Sequence, residues 1–151
     1  MTADRSISRA AIVAEARTWI GTPYAHQASV KGVGCDCLGL VRGVWRAIHG
    51  DEPEAPPAYS RDWAEARGYE TLAEAAGRHM MPVAFTAIRP GDVLLFAMKD
   101  HAPAKHCAIM TAPARMIHAI ESHPVAEVTL WNSRSAGRRL RFAFAFPGLC
   151  D

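Results

Sequence analysis

Apolar positions recur at helical spacing in the first half of the chain and gather into short strand-length runs in the second. Ile12, Ala16, Trp19 and Ile20 fall on one face of a segment that Ser8 can cap, which predicts a helix from Ser8 to about Ile20. Gly21-Thr22-Pro23 stops it, and Tyr24 to Gly34 reads as loop. A second helix opens at Cys37, with Val41, Val44, Trp45 and Ile48 in register and Gly50 as its C′ glycine. Asp51 to Tyr59 carries three prolines and two glutamates, the composition of an extended surface connection. Ser60 is placed to cap a short helix, and Thr71-Leu72-Ala73-Glu74 has the spacing of a capping box.

Pro90-Gly91-Asp92 then turns the chain into Val93 to Phe96, a short buried strand. Cys107 to Met110, Arg115 to Ala119, Glu127 to Trp131 and Leu140 to Phe146 follow as further strands between turn residues. Helices first and a strand meander afterwards predict an α+β fold, an antiparallel sheet packed on the helices, in a single domain over residues 1–151.

Composition adds limits. Half of the 151 residues are hydrophobic, enough for a core, and the formal net charge is only +2. Arg134, Arg138, Arg139 and Arg141 cluster, but four arginines suit a solvated edge strand better than a nucleic-acid surface. No run approaches the ~18 apolar residues of a membrane span. Met1 to Trp19 mixes Asp4, Arg5, Arg9, Glu15 and Arg17 with no apolar block, so neither a signal peptide nor membrane insertion is expected. Synthesis in a cytoplasm follows as an expectation, with the four cysteines as thiols and not disulfides.

The chemistry concentrates in Gly34-Cys35-Asp36-Cys37-Leu38-Gly39-Leu40-Val41 and in Lys105-His106-Cys107-Ala108-Ile109. Cys37 stands where a turn hands over to a helix, and the helix N-terminus favours a thiolate. An imidazole arriving on a separate strand can take and return the proton. If the hairpin around Ala112-Pro113 is centred on Ala112, His106 faces His118, Cys107 faces Ile117 and Ile109 faces Arg115. Facing residues have Cβ atoms ~4.5–5.5 Å apart, so His118 can hold His106 in its working tautomer. Both histidines then share one face, and Cys107, Ile109 and Ile117 the other. Glu121 and His123 have the wrong parity to join the histidines.

Cys35 and Cys107 read as small core residues and Cys150 as an incidental thiol. Zinc held by Cys35, Cys37, His106 and His118 is the rival, since the ligand types fit. Its weakness is one residue between the cysteines, where roughly two to four is usual. His26 lies in a loop near Tyr24, His49 and His79 sit near helix ends where a positive or polarised imidazole suits the dipole, and His101 belongs to a loop that can flank a cleft.

Together these motifs resemble the NlpC-type cell-wall peptidases, papain-like cysteine enzymes that cut peptidoglycan stem peptides. The matching elements are Gly21-Thr22-Pro23-Tyr24, Asp36-Cys37-Leu38-Gly39-Leu40-Val41, Pro90-Gly91-Asp92-Val93-Leu94-Leu95-Phe96, His106-Cys107-Ala108-Ile109 and His118, in the family's order across nearly the whole chain. The resemblance implies Cys37 as nucleophile, His106 as base and acid, and His118 as its orienting residue. It also implies Tyr24 lining the site, Asp36 meeting a free amine of the substrate, and no cofactor or metal. The implied substrate bond is D-glutamyl to diaminopimelate. Two positions depart from the pattern: Leu38 replaces a serine and Ala108 a glycine. The segment Pro56 to Trp63 resembles an insertion of the branch found in phage tails and gene transfer particles. That branch implies tail or baseplate proteins as partners and a particle that carries the enzyme to the wall. A non-catalytic tail or wall-binding component of the same fold, and the zinc module, are the alternatives.

Overall fold

The computed structural model describes residues 6–56, 59, 70–130 and 139–151. The described elements are α1 (Arg9–Arg17), β1 (Ser29–Val30), β2 (Gly34–Cys35), α2 (Cys37–His49), α3 (Thr71–His79), β3 (Met81–Pro82), a 3-10 turn (Phe85–Ala87), β4 (Val93–Ala97), β5 (His106–Ala112), β6 (Arg115–His118), β7 (Ala126–Thr129) and β8 (Arg139–Ala145). The six longer-range strands form one antiparallel sheet in the order β3-β8-β4-β5-β6-β7. The helices-then-sheet architecture is the predicted α+β fold. The helix proposed to begin at Ser60 lies outside the described residues.

Ser8 caps α1 as expected, its hydroxyl accepting from Ala11 N at 3.0 Å. The helix ends at Arg17, however, and Thr18 to Gly21 continue as turns. Helix α2 ends at Gly50, whose φ of 85° is the left-handed conformation that favours glycine. The capping box at Thr71 does not form. Glu70 is the N-cap without a side-chain cap bond; its carboxylate instead accepts from Ala104 N at 3.1 Å, tying α3 to the loop that precedes β5.

The sheet's helix-facing side buries Val93, Leu95, Cys107, Ile109 and Ile117 with Ile12 and Ala16 of α1 and Leu40 and Val44 of α2. Its other side buries Leu94, Phe96, Ala108, Met110, Met116 and Ala143. That double burial explains why β4 reads as a continuous apolar run. Close approach fixes α2 in place. A Cβ at Gly43 would lie 2.0 Å from the Trp19 ring, and one at Gly39 would lie 1.9 Å from the carbonyl oxygen of Ala28. Both glycines are therefore required by contact. Asp92 of the Pro90-Gly91-Asp92 turn is wholly buried and accepts from Arg9 Nη1 at 2.6 Å and from Arg89 N at 2.9 Å. The turn is thus a latch between α1 and the start of β4.

Strand β8 is not an edge strand, because it lies between β3 and β4. The short β3 covers only Phe144 and Ala145, so the Arg139 to Arg141 stretch keeps one open side, as charged edge residues do. Arg139 ion-pairs with Asp100. Arg134 and Arg138 lie outside the described residues.

Candidate active site

Cys37 is the first residue of α2, and Asp36 is its N-cap. Asp36 is buried, and its Oδ1 accepts from Gly39 N at 2.7 Å. That bond uses the third amide of the turn and leaves those of Cys37 and Leu38 outside the cap. The Asp36 Oδ2 accepts from Gln27 N at 2.8 Å and from the Tyr59 hydroxyl. Tyr59 is in turn held by its carbonyl, 2.8 Å from His26 Nε2 and 2.5 Å from Gln27 Nε2, and by an edge-on contact with the His26 ring. Nothing in the local sequence around Tyr59 signals this bond. It closes only when the proline-rich connection folds back over α2.

Cys37 is partly exposed, and its sulfur, as a thiol, donates to the Lys105 carbonyl at 3.8 Å. It therefore sits at the mouth of β5, beside His106, that strand's first residue. The Cys37 pKa is held well below the usual thiol value. A hydrogen bond from the Cys107 thiol is the largest cause, opposed by burial; the hydrogen bond and charge of His106 lower it further, and Asp36 opposes. The other thiols behave differently. Cys35 is wholly buried and pushed up to about 12 by burial, then by the charges of Asp36 and Cys37. Cys107 is raised well above the usual value, first because its proton is shared with Cys37 and then by burial. Cys150 is exposed. Cys107 is buried in the core, as its strand position predicts.

His106 Nε2 lies 3.0 Å from His118 Nδ1, with the rings 5.2 Å apart at 75°, and both residues are buried. The predicted contact is present, but the register behind it is different. Ile109 pairs with Ile117 and Met110 with Met116, two residues away from the pairing expected for a hairpin centred on Ala112. Pro113 and Ala114 form the turn itself, with Ala114 at φ 59°. Pro113 has no N–H to offer a ladder, and the register shifts once between Met110 and Ala112 to absorb Thr111. A slip of two residues keeps side-chain parity. The histidines therefore still share a face and meet diagonally.

Tyr24 bridges to Cys35, two residues before Cys37, and packs partly buried on the helix-side core. The proposed zinc ligands are not assembled: among the described residues no group of three or more His, Cys, Asp or Glu side chains could hold a metal. His49 is the last residue of α2. It stacks on Trp45 and Phe146, and burial lowers its pKa. His79 reaches Glu54 at 3.6 Å. His101 lies with Glu70, Asp100 and Arg141 around a surface hollow away from Cys37.

The chain is 29% identical over 141 residues to Gamma-DL-glutamyl hydrolase of Bacillus subtilis (strain 168), covering 91% of this chain and 30% of that protein. It therefore spans less than a third of the length of that curated relative. Its fold superposes on the crystal structure of the NlpC/p60 domain of the peptidoglycan hydrolase SagA with a TM-score of 0.64 and 25% identity, covering 93% of this chain and 100% of that one. A protein of the same family from Bacillus cereus ATCC 10987 gives a TM-score of 0.67 at 18% identity, over 93% of this chain and 41% of that one. The sequence pattern of the NlpC/P60 family matches residues 21–141, and the chain belongs to that family.

Proposed function

We propose that this protein is a cysteine endopeptidase that hydrolyses peptidoglycan stem peptides at the D-glutamyl–diaminopimelate bond. The observation that carries this reading is the 3.0 Å contact between His106 and His118 beside a thiol at a helix N-terminus. The Cys37 thiolate attacks the D-glutamyl carbonyl. The Cys37 and Leu38 amides, outside the Asp36 cap, are the donors for the resulting oxyanion. His106 gives its proton to the leaving diaminopimelate amine, then draws one from water to release the acyl group. His118 accepts the Nε2 proton of His106, leaving Nδ1 for the thiol and stabilising the imidazolium. Tyr24 borders the site. Asp36 Oδ2 can receive a substrate ammonium in exchange for the Tyr59 hydroxyl.

The bond assignment is supported by the likeness to a glutamyl hydrolase and to the domain of a peptidoglycan hydrolase. Digestion of purified peptidoglycan followed by fragment masses tests activity and bond together. New D-glutamyl carboxylates and free diaminopimelate amines are the expected ends. Intact stem peptides, or ends at another bond, overturn the assignment.

We further propose that a phage-like tail or baseplate delivers the enzyme to the wall after its synthesis in the cytoplasm. The support is the resemblance of the Pro56 to Trp63 insertion to that branch, with Tyr59 folding onto the site. Among the described residues no helix is long and apolar enough to cross a membrane. Copurification of the chain with tail-like particles is the expected result; fractionation showing only free protein in a host without particles would reject it.

A further inference from the structure

On the reading of Asp36 as the group that meets a substrate ammonium, we propose that Tyr59 is a specificity-determining residue. Its hydroxyl already fills the amine position on Asp36, so stem peptides acylated at their first residue are cut in preference to free-amine peptides.

Asp36 is 3% exposed, and its two carboxylate oxygens offer about four lone-pair sites, two each. Oδ1 accepts from Gly39 N at 2.7 Å as the cap of α2. Oδ2 accepts from Gln27 N at 2.8 Å and from the Tyr59 hydroxyl, which together use both of its sites. An ammonium binds Oδ2 only by evicting one of these donors. The Gln27 amide is fixed by the turn around it, where Ala25 N donates to the Cys35 carbonyl at 3.0 Å and Asp36 N to the Ala28 carbonyl at 3.3 Å. The phenol is therefore the group that has to leave.

Tyr59 is held where it stands. Its carbonyl lies 2.8 Å from His26 Nε2 and 2.5 Å from Gln27 Nε2, and its ring meets the His26 ring edge-on at 5.3 Å. Burial and then the Asp36 hydrogen bond raise its pKa, so the hydroxyl stays a donor. Exchange for an ammonium is unfavourable on two counts. The ammonium gives up its water on entering so buried a site, and the displaced hydroxyl loses a charge-assisted bond. An acylated nitrogen carries no charge, asks nothing of Asp36 and leaves the phenol in place. A stem peptide still joined to its glycan is acylated at that nitrogen, whereas a released peptide is not.

Two synthetic stem peptides, alike except for a free or an N-acetylated first residue, are compared by kcat/KM on the native chain, Tyr59→Phe and Gln27→Ala. The native chain is expected to show the higher kcat/KM on the acetylated peptide. Tyr59→Phe should shift the ratio toward the free-amine peptide by about tenfold or more, the worth of a hydrogen bond to a charged group. Gln27→Ala keeps the backbone amide on Asp36 and removes one anchor of the Tyr59 carbonyl. It should shift the ratio the same way by less, and it carries the test if Tyr59→Phe does not fold. A purely structural role for Tyr59 would lower both rates together and leave the ratio where it was. Cleavage with a native preference for the free amine, or with a ratio that the variants leave unchanged, overturns the role of Tyr59 and leaves the peptidase reading standing. Cleavage of neither peptide overturns the peptidase reading and the role of Tyr59 with it.

Discussion

His106 presents Nε2 to Nδ1 of His118 at 3.0 Å from a diagonal position on the β5–β6 ladder. Diagonal neighbours lie roughly 7–8 Å apart, a gap that two imidazoles span. The arrangement gives His106 one nitrogen for its neighbour and one for the thiol. His106→Ala is expected to lower kcat by about 10²–10⁴-fold, the usual contribution of a positioned proton-transfer group. His118→Gln and His118→Asn, whose amide oxygens can still accept the ring N–H, should retain more turnover than His118→Ala. Steady-state kinetics on one muropeptide checks the order. Equal loss in His118→Ala and His118→Gln removes the orienting role.

Cys37→Ala should abolish digestion while leaving the denaturation midpoint nearly unchanged, because the side chain is partly exposed. Cys35→Ala should do the reverse. It trims a wholly buried side chain, so a loss of about 1 kcal/mol in stability is expected with most activity kept. Activity in Cys37→Ala and none in Cys35→Ala would move the nucleophile to the other thiol.

The depressed Cys37 pKa has a sign that can be read by alkylation. A thiolate favoured in the folded protein persists as pH falls below the free-thiol value of ~8.5. Cys37 should react with iodoacetamide at mildly acidic pH, while Cys35 and Cys107, both raised, should not. Since the Cys107 thiol is the first cause of the low Cys37 pKa, Cys107→Val should move the midpoint of the Cys37 profile upward. His106→Ala should move it upward too, by a separate route. All thiols labelling together and only at alkaline pH would contradict the arrangement.

The parts of this site readable in the sequence are those set by periodicity. Cys37 at a helix start, the strand carrying His106 and the shared face of the two histidines depend on parity and capping, which survive a shifted register. The register differs from one centred on Ala112 because Pro113 belongs to the turn, and Ala114, not a glycine, takes its left-handed position. Glu70 displaced the expected capping box because its carboxylate had a tertiary partner, Ala104 N. The same holds for Tyr59 and Asp36, distant in sequence and joined by chain folding. Strands β1, β2 and β3 have two residues each, too short for an alternation to show.

Tyr59→Phe removes the hydroxyl that donates to Asp36 Oδ2 and leaves the Gln27 amide there. Hydrogen bonds to charged groups contribute about 1.5–3 kcal/mol, so a loss in that range is expected in chemical denaturation. Asp36→Ala should cost more, because it also removes the cap from Gly39 N. A stable Tyr59→Phe with unchanged kinetics on free-amine and N-acylated peptides would show that the phenol neither supports the loop nor competes with substrate for the carboxylate.

The latch at Asp92 separates stability from chemistry. Arg9 Nη1 reaches both Asp92 Oδ1 at 2.6 Å and the Pro90 carbonyl at 3.2 Å, and Asp92 is wholly buried. Removing one partner of a buried pair leaves an uncompensated charge and costs about 3–5 kcal/mol. Arg9 keeps some solvent contact and Arg89 N still serves Oδ2, which argues for the lower end of that range in Arg9→Ala. Asp92→Asn should be milder, since the amide oxygen can still accept one bond. Neither residue approaches Cys37 among the contacts described. Arg9→Ala should therefore lower the midpoint of thermal unfolding while kcat/KM, measured well below that midpoint, stays within about twofold of the native value, a change under 0.5 kcal/mol in activation free energy. A large fall in kcat/KM without a fall in stability would place the latch in the catalytic machinery instead.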